Sequence, residues 1–103
     1  MVGTMFATVR ESTFDPDKLS RGRAQLEEFG ALRDQQPGFA GAVTVDAGNG
    51  RLLTLVLWES EEHATAATTR LDPEAQRLLA PLWTIPSRVI AQGPVVRSDL
   101  IRS

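Results

Sequence analysis

The chain has no cysteine and a single histidine, His63, in 103 residues. Without thiols there is no disulfide, no thiolate metal ligand and no cysteine nucleophile. One imidazole is too few for a histidine-rich metal site within one chain, so no metal is expected. A basic excess is missing as well, since eleven Lys and Arg stand against thirteen Asp and Glu for a formal net charge of -2. Lys18, Arg21 and Arg23 cluster, but Asp15, Asp17, Glu27 and Glu28 surround them, which leaves no electrostatic footprint for nucleic acid. No long apolar run occurs, and the N-terminus alternates apolar and polar residues up to Arg10-Glu11. Neither a signal peptide nor a membrane span is expected, no membrane partner follows, and the default location is cytoplasmic. A glycine-rich phosphate loop is also lacking: Gly38 and Gly41 precede a strand, while Gly48 and Gly50 belong to a turn.

What is present fits one folded domain, residues 1–103 with a core over about 4–97, because 42% hydrophobic and 23% charged residues are ordinary for a globular chain. The strongest local signal is Gly48-Asn49-Gly50 between two runs rich in Val, Leu and Thr. Asn-Gly tolerates the positive φ angles of a tight turn, so strands at about 39–46 and 51–58 form a hairpin. Before it, residues 4–11 alternate as a first strand. Asp15-Pro16 then supplies a cap acceptor and a first-turn proline to a helix predicted over about 16–35, with Leu19, Leu26, Phe29 and Leu32 at helical spacing. After the hairpin, Ser60 caps a second helix whose first turn carries Glu61 and Glu62. Asp72-Pro73 repeats the cap-and-proline pattern, which predicts a break near 71 and a second piece over 73–82. Trp83 is expected to pack beneath that helix with Leu79 and Leu82. Pro86 stops the helix, a last strand follows over 87–97 with Gly93-Pro94 suiting an edge position or a bulge, and residues 98–103 read as a polar tail.

The order is βαββαβ, and side-chain alternation divides the sheet into two faces. Met5, Ala7, Val9, Phe39, Val43, Val45, Leu53, Leu55 and Leu57 share one face if the pairing is regular. The other holds Phe6, Ala42, Val56, Trp58 and Ile90 among Thr8, Arg10, Thr44, Thr54 and Gln92, with Arg88 on the same side by parity. Two helices cover only one face of such a sheet, so the aliphatic face would be left in water unless a second copy of the chain covers it.

The βαββαβ order, the two apolar faces, Pro37-Gly38-Phe39 opening the second strand and Leu57-Trp58-Glu59-Ser60 closing the third together resemble the dimeric α/β-barrel superfamily, in particular the antibiotic biosynthesis monooxygenase domain. The resemblance covers about residues 5–95 and rests on short motifs. It implies an α+β, ferredoxin-like subunit with a four-stranded antiparallel sheet and helices on one face, dimerising sheet on sheet into a barrel, with a pocket between sheet and helices. The superfamily includes cofactor-independent oxygenases of polycyclic phenols, haem-degrading monooxygenases and small proteins without an assigned role. Haem degradation is disfavoured, because that branch uses an asparagine on the first strand where this chain has Thr8 and Arg10. It also needs a histidine further along the second helix than His63.

The resemblance makes the chain a homodimeric binder of a small apolar or aromatic, polyketide-like molecule. Its activity would be that of a monooxygenase with no cofactor, in which the protein positions a substrate that itself reduces oxygen once deprotonated. Trp58 is the candidate stacking wall, Arg10 the anion partner and His63 a candidate base, with Thr8, Thr54 and Phe6 lining the pocket. Each also has a plainer reading: Trp58 as core, Arg10 and Arg88 as solvated or paired side chains, His63 as surface beside Glu61 and Glu62, the threonines as ordinary strand residues. If those readings hold throughout, the chain is a non-catalytic ligand-binding or structural dimer.

Overall fold

Asp15 caps the first helix as its type and position require, accepting hydrogen bonds from the backbone N–H groups of Asp17 (2.9 Å) and Lys18 (3.2 Å). The computed structural model describes residues 4–97, so the polar tail expected at 98–103 lies outside the described residues. Within them the elements run β1 (Phe6–Phe14), α1 (Pro16–Arg21), α2 (Arg23–Asp34), β2 (Phe39–Gly48), β3 (Arg51–Trp58), α3 (Glu61–Leu78), a short 3-10 turn at Ala80–Leu82 and β4 (Trp83–Pro94). The four strands form one antiparallel sheet in the order β2-β3-β1-β4, with the helices on one face, as the ferredoxin-like reading requires.

The helices depart from expectation in two places. The helix expected over 16–35 is two helices, because Gly22 is buried at the junction, where an added Cβ would lie 2.6 Å from Leu82 Cδ1. Conversely, the expected break near residue 71 does not occur, and α3 continues through Pro73. Proline there removes one helical N–H. However, Ala64, Ala67, Leu71 and Leu78 form a single buried stripe that spans the proline and holds both halves on the sheet.

Bulges correct the assignment of faces. A register shift between Phe39 and Gly41 pairs Phe39 with Trp58 and turns it to the helix side, against the reading that placed it with Val43 and Val45. Gly41 has φ 149° at that point, a value side chains rarely adopt. In β4, shifts against β1 pair Arg10 with Val89 and Glu11 with Arg88. Arg88 therefore lies on the open face, not beside Arg10, and there it donates to Glu11 at 2.8 Å while Arg51 binds the same carboxylate. The last strand also starts earlier than expected, at Trp83, so Pro86 sits inside an edge strand where its missing N–H is tolerated.

The hairpin turn behaves as its composition dictates. Gly48, Asn49 and Gly50 have φ of 88°, 58° and 81°. Gly50 is buried, its carbonyl accepts from Phe14 N at 2.7 Å, and a Cβ there would strike the Phe14 carbonyl. A Cβ at Gly48 would meet nothing within 4 Å. Gly50→Ala should therefore destabilise the fold by more than Gly48→Ala, which carries only the backbone penalty of about 1–3 kcal/mol; chemical denaturation of both variants measures the difference. Hydrogen bonds from Arg88 and then Arg51 hold the Glu11 carboxyl below the usual carboxylate range. A lowered folded pKa stabilises above the unfolded value of about 4.3 and loses that contribution as pH falls through the folded one. Glu11→Gln should accordingly flatten the acid limb of a stability-against-pH curve and leave its slope near neutrality unchanged.

Candidate ligand-binding site

The core beneath the helices is two clusters, not one. Phe6, Val56, Trp58, Ala64, Ala67 and Leu71 make the first, and Phe14, Leu78, Leu79 and Leu82 the second, with Phe29 and Leu32 packed against both. Between them the helix-facing residues of β1 are Thr8, Arg10 and Ser12, too polar and too short to close the gap with apolar volume. Cross-strand pairing extends this polar row, since Thr44 faces Thr54 and Thr54 faces Arg10. The two threonine hydroxyls lie 3.3 Å apart. A cavity of about 370 Å³ results, floored by these residues and Ser87 and roofed by α2 and α3. That volume is in the range of small-molecule sites, and its lining mixes polar floor residues with the apolar side chains of Leu26, Phe29, Leu71 and Leu79.

Arg10 is the site's main electrostatic feature. One Nη donates to Ser87 Oγ at 3.2 Å, and among the described residues no carboxylate stands within ion-pair distance of it. Burial lowers its pKa from the ordinary value, while the charge of Asp72, on the α3 wall, acts in the opposite direction. An arginine remains cationic at neutral pH under such a shift. With most of its five donors uncommitted, the guanidinium can take an anionic oxygen from a ligand. Asp72, read from the sequence as a helix cap, is the carboxylate that lines the same cavity. Nothing in the chain order brings Arg10, Asp72 and Ser87 together. At the α2 wall Arg33 sits 5.6 Å from the centre of the Phe39 ring and pairs with Asp34.

The sequence-derived candidates divide. Trp58, Thr8, Thr54 and Arg10 all line the cavity. Trp58 is nevertheless only 4% exposed and meets Phe39 edge-on, with ring centres 5.9 Å apart, so it is both core and wall. Phe6 faces the helices but is packed into the first cluster and does not line the cavity. His63 lies away from it, at the first turn of α3, where its Nδ1 is 2.7 Å from the Ser60 cap hydroxyl and its ring covers Gly38. His63 is therefore not among the residues that line this cavity. Among the described residues no cluster of His, Cys, Asp or Glu is arranged for a metal ion.

Two substitutions probe this arrangement. Trp58→Ala should cost about 3–5 kcal/mol, the range for truncating a buried tryptophan, as read by denaturant unfolding. Gly30, on the α2 wall, has an ordinary helical φ and would place a Cβ no nearer than 3.8 Å to Arg33. Gly30→Ala should therefore stabilise by roughly 0.5–1 kcal/mol while narrowing the cavity.

No protein-family model matches the chain, and no curated protein sequence matches it. Solved structures do match in fold. The NE2512 protein of unknown function from Nitrosomonas europaea aligns over 100% of both chains at 12% identity with a TM-score of 0.79. A proposed antibiotic biosynthesis monooxygenase from the same organism aligns over 93% of this chain and 94% of its own at 12% identity, TM-score 0.75. A point mutant of SnoaB, a cofactor-independent oxygenase from Streptomyces nogalater, aligns over 93% and 97% at 15% identity, TM-score 0.74. The chain therefore has the ferredoxin-like fold of the antibiotic biosynthesis monooxygenases.

Proposed function

We propose that the cavity binds a small, flat, largely apolar molecule with an acidic hydroxyl, holds it as its anion against Arg10, and does so in a homodimer. The supporting observation is a half-buried guanidinium that, among the described residues, has no carboxylate at ion-pair distance, set on the floor of a 370 Å³ cavity whose walls include Leu26, Phe29, Leu71 and Trp58. An opposite charge at close range in a low-dielectric site lowers the pKa of a phenol or enol. A phenolate of this kind is electron-rich enough to react with oxygen directly, and one protein that shares the fold is a cofactor-independent oxygenase. For a methylene carbon conjugated to the phenolate, one oxygen atom becomes a carbonyl and the other leaves as water with the two hydrogens, so no external reductant is needed. The protein's part is to bind, favour the anion and exclude water. The deep packing of Trp58 is what favours the second reading, a dimer that binds such a ligand without transforming it.

The open face supports the homodimer. Val9, Leu53 and Leu55 continue there into Val43 and Val45, which are 47% and 52% exposed. No helix among the described residues covers them. At about 25 cal/mol per Å², several hundred Å² of such surface contributes on the order of 10 kcal/mol before association costs of about 4–15 kcal/mol. Sedimentation equilibrium at micromolar concentration should give twice the chain mass, and Leu55→Lys should shift it to monomer by burying an unpaired charge. A parent that sediments as a monomer would remove the dimer from this proposal.

The ligand claim is checked by following the ionisation of bound naphthol by absorbance. Bound naphthol should ionise at least about one pH unit below free naphthol, and Arg10→Met should abolish the shift. Binding with an unshifted or raised ionisation would sink the anion reading. Oxygen uptake with oxidisable phenols then separates the catalytic from the non-catalytic form.

A further inference from the structure

Trp83 is a cavity-lining residue whose polar group the proposed function leaves unused. Its indole Nε1–H is buried and has no acceptor, the one buried side-chain polar atom in that state among the described residues. A buried donor without a partner loses the hydrogen bond it makes to water in the unfolded chain, and native structures rarely leave one so. Phenylalanine could fill the apolar position against Phe14, Leu78, Leu79 and Leu82 without that loss. Packing therefore accounts for the ring and not for the nitrogen.

Register locates this donor relative to Arg10. Trp83 pairs with Phe14 at one end of β1, and Trp58 pairs with Phe6 at the other. Arg10 is midway, four residues from each, or about 13 Å along an extended strand. The cavity thus runs along β1 with an indole toward each end and the guanidinium between them. Both Arg10 and Trp83 are long side chains able to lean along the strand and shorten their separation.

We infer that Trp83 is a second polar anchor of the ligand site, its Nε1–H donating to a neutral acceptor oxygen, a carbonyl above all, at the end of the ligand remote from the hydroxyl that Arg10 holds. This rests on the proposed binding of an aromatic anion and adds to it a class: an elongated hydroxy-carbonyl aromatic, in preference to a phenol whose far end is hydrocarbon. The nitrogen has less than 1 Å² of accessible surface. The acceptor therefore reaches it when a lining side chain turns to another rotamer, a common change on binding.

The test compares naphthol with an acetylnaphthol whose acetyl group is on the ring remote from the hydroxyl, titrated calorimetrically into the parent and Trp83→Phe. The parent should prefer acetylnaphthol by about tenfold, the worth of one hydrogen bond, and Trp83→Phe should lose that preference while holding naphthol as before. The chain's two tryptophans give two indole resonances in a nitrogen–proton correlation spectrum of the parent. The Trp83 signal should move downfield with acetylnaphthol and not with naphthol, a readout that stands even if Trp83→Phe fails to fold. Binding of acetylnaphthol with that signal unmoved, or a preference that survives in Trp83→Phe, overturns the role of Trp83 and leaves the Arg10 site intact. Failure of the parent to bind either compound overturns both.

Discussion

Alternation along β1, held between β3 and β4, turns Phe6, Thr8, Arg10, Ser12 and Phe14 toward the helices and Ala7, Val9, Glu11 and Thr13 to the far face. The rest of the molecule depends on that period of two. The large apolar side chains at the ends of the helix-facing row, Phe6 and Phe14, each seed a core cluster. The three polar residues between them cannot fill the space under α2 and α3, and the cavity is the consequence. A protein interior is close-packed elsewhere because mismatched volume costs stability. Here two clusters bridged by Phe29 and Leu32 carry the helices over the gap.

The same alternation assigns the two faces different tasks. The helix face carries a cation with uncommitted donors in surroundings that strengthen electrostatic attraction. The far face is aliphatic along its middle and ends in the Glu11, Arg51 and Arg88 cluster. Bulges decide which residues join which set. Without the shift at Gly41, Phe39 would face away from Trp58, and without those in β4, Arg88 and not Ser87 would lie next to Arg10.

Similarity in fold to an oxygenase at 15% identity bears on architecture, and chemistry must come from the site itself. The site's composition is two guanidiniums, Arg10 on the floor and Arg33 on the α2 wall, with the Asp72 carboxylate on the α3 wall, hydroxyls on the floor and aromatic edges at both ends.

Local chemistry was enough to read the element order, the Asp15 and Ser60 caps and the hairpin at Asn49-Gly50, because each depends on backbone preferences expressed within a few residues. The period-two pattern likewise separated most of the two sheet faces and singled out Thr8, Arg10, Thr54 and Trp58, all of which line the cavity. What escaped it are features set by partners distant in sequence. Gly22 interrupts a helix because Leu82 passes against it, and Pro73 fails to interrupt one because Leu71 and Leu78 are anchored on the sheet. Parity arguments failed for Phe39 and Arg88, since a bulge shifts register without a unique sequence mark. Asp72, Ser87 and the unpartnered nitrogen of Trp83 became part of one site only through tertiary packing. The sequence alone specified the strands, the caps and the two faces, whose causes are local and periodic; the cavity and its donors were decided by the fold, because a gap between packed layers is a property of no single segment.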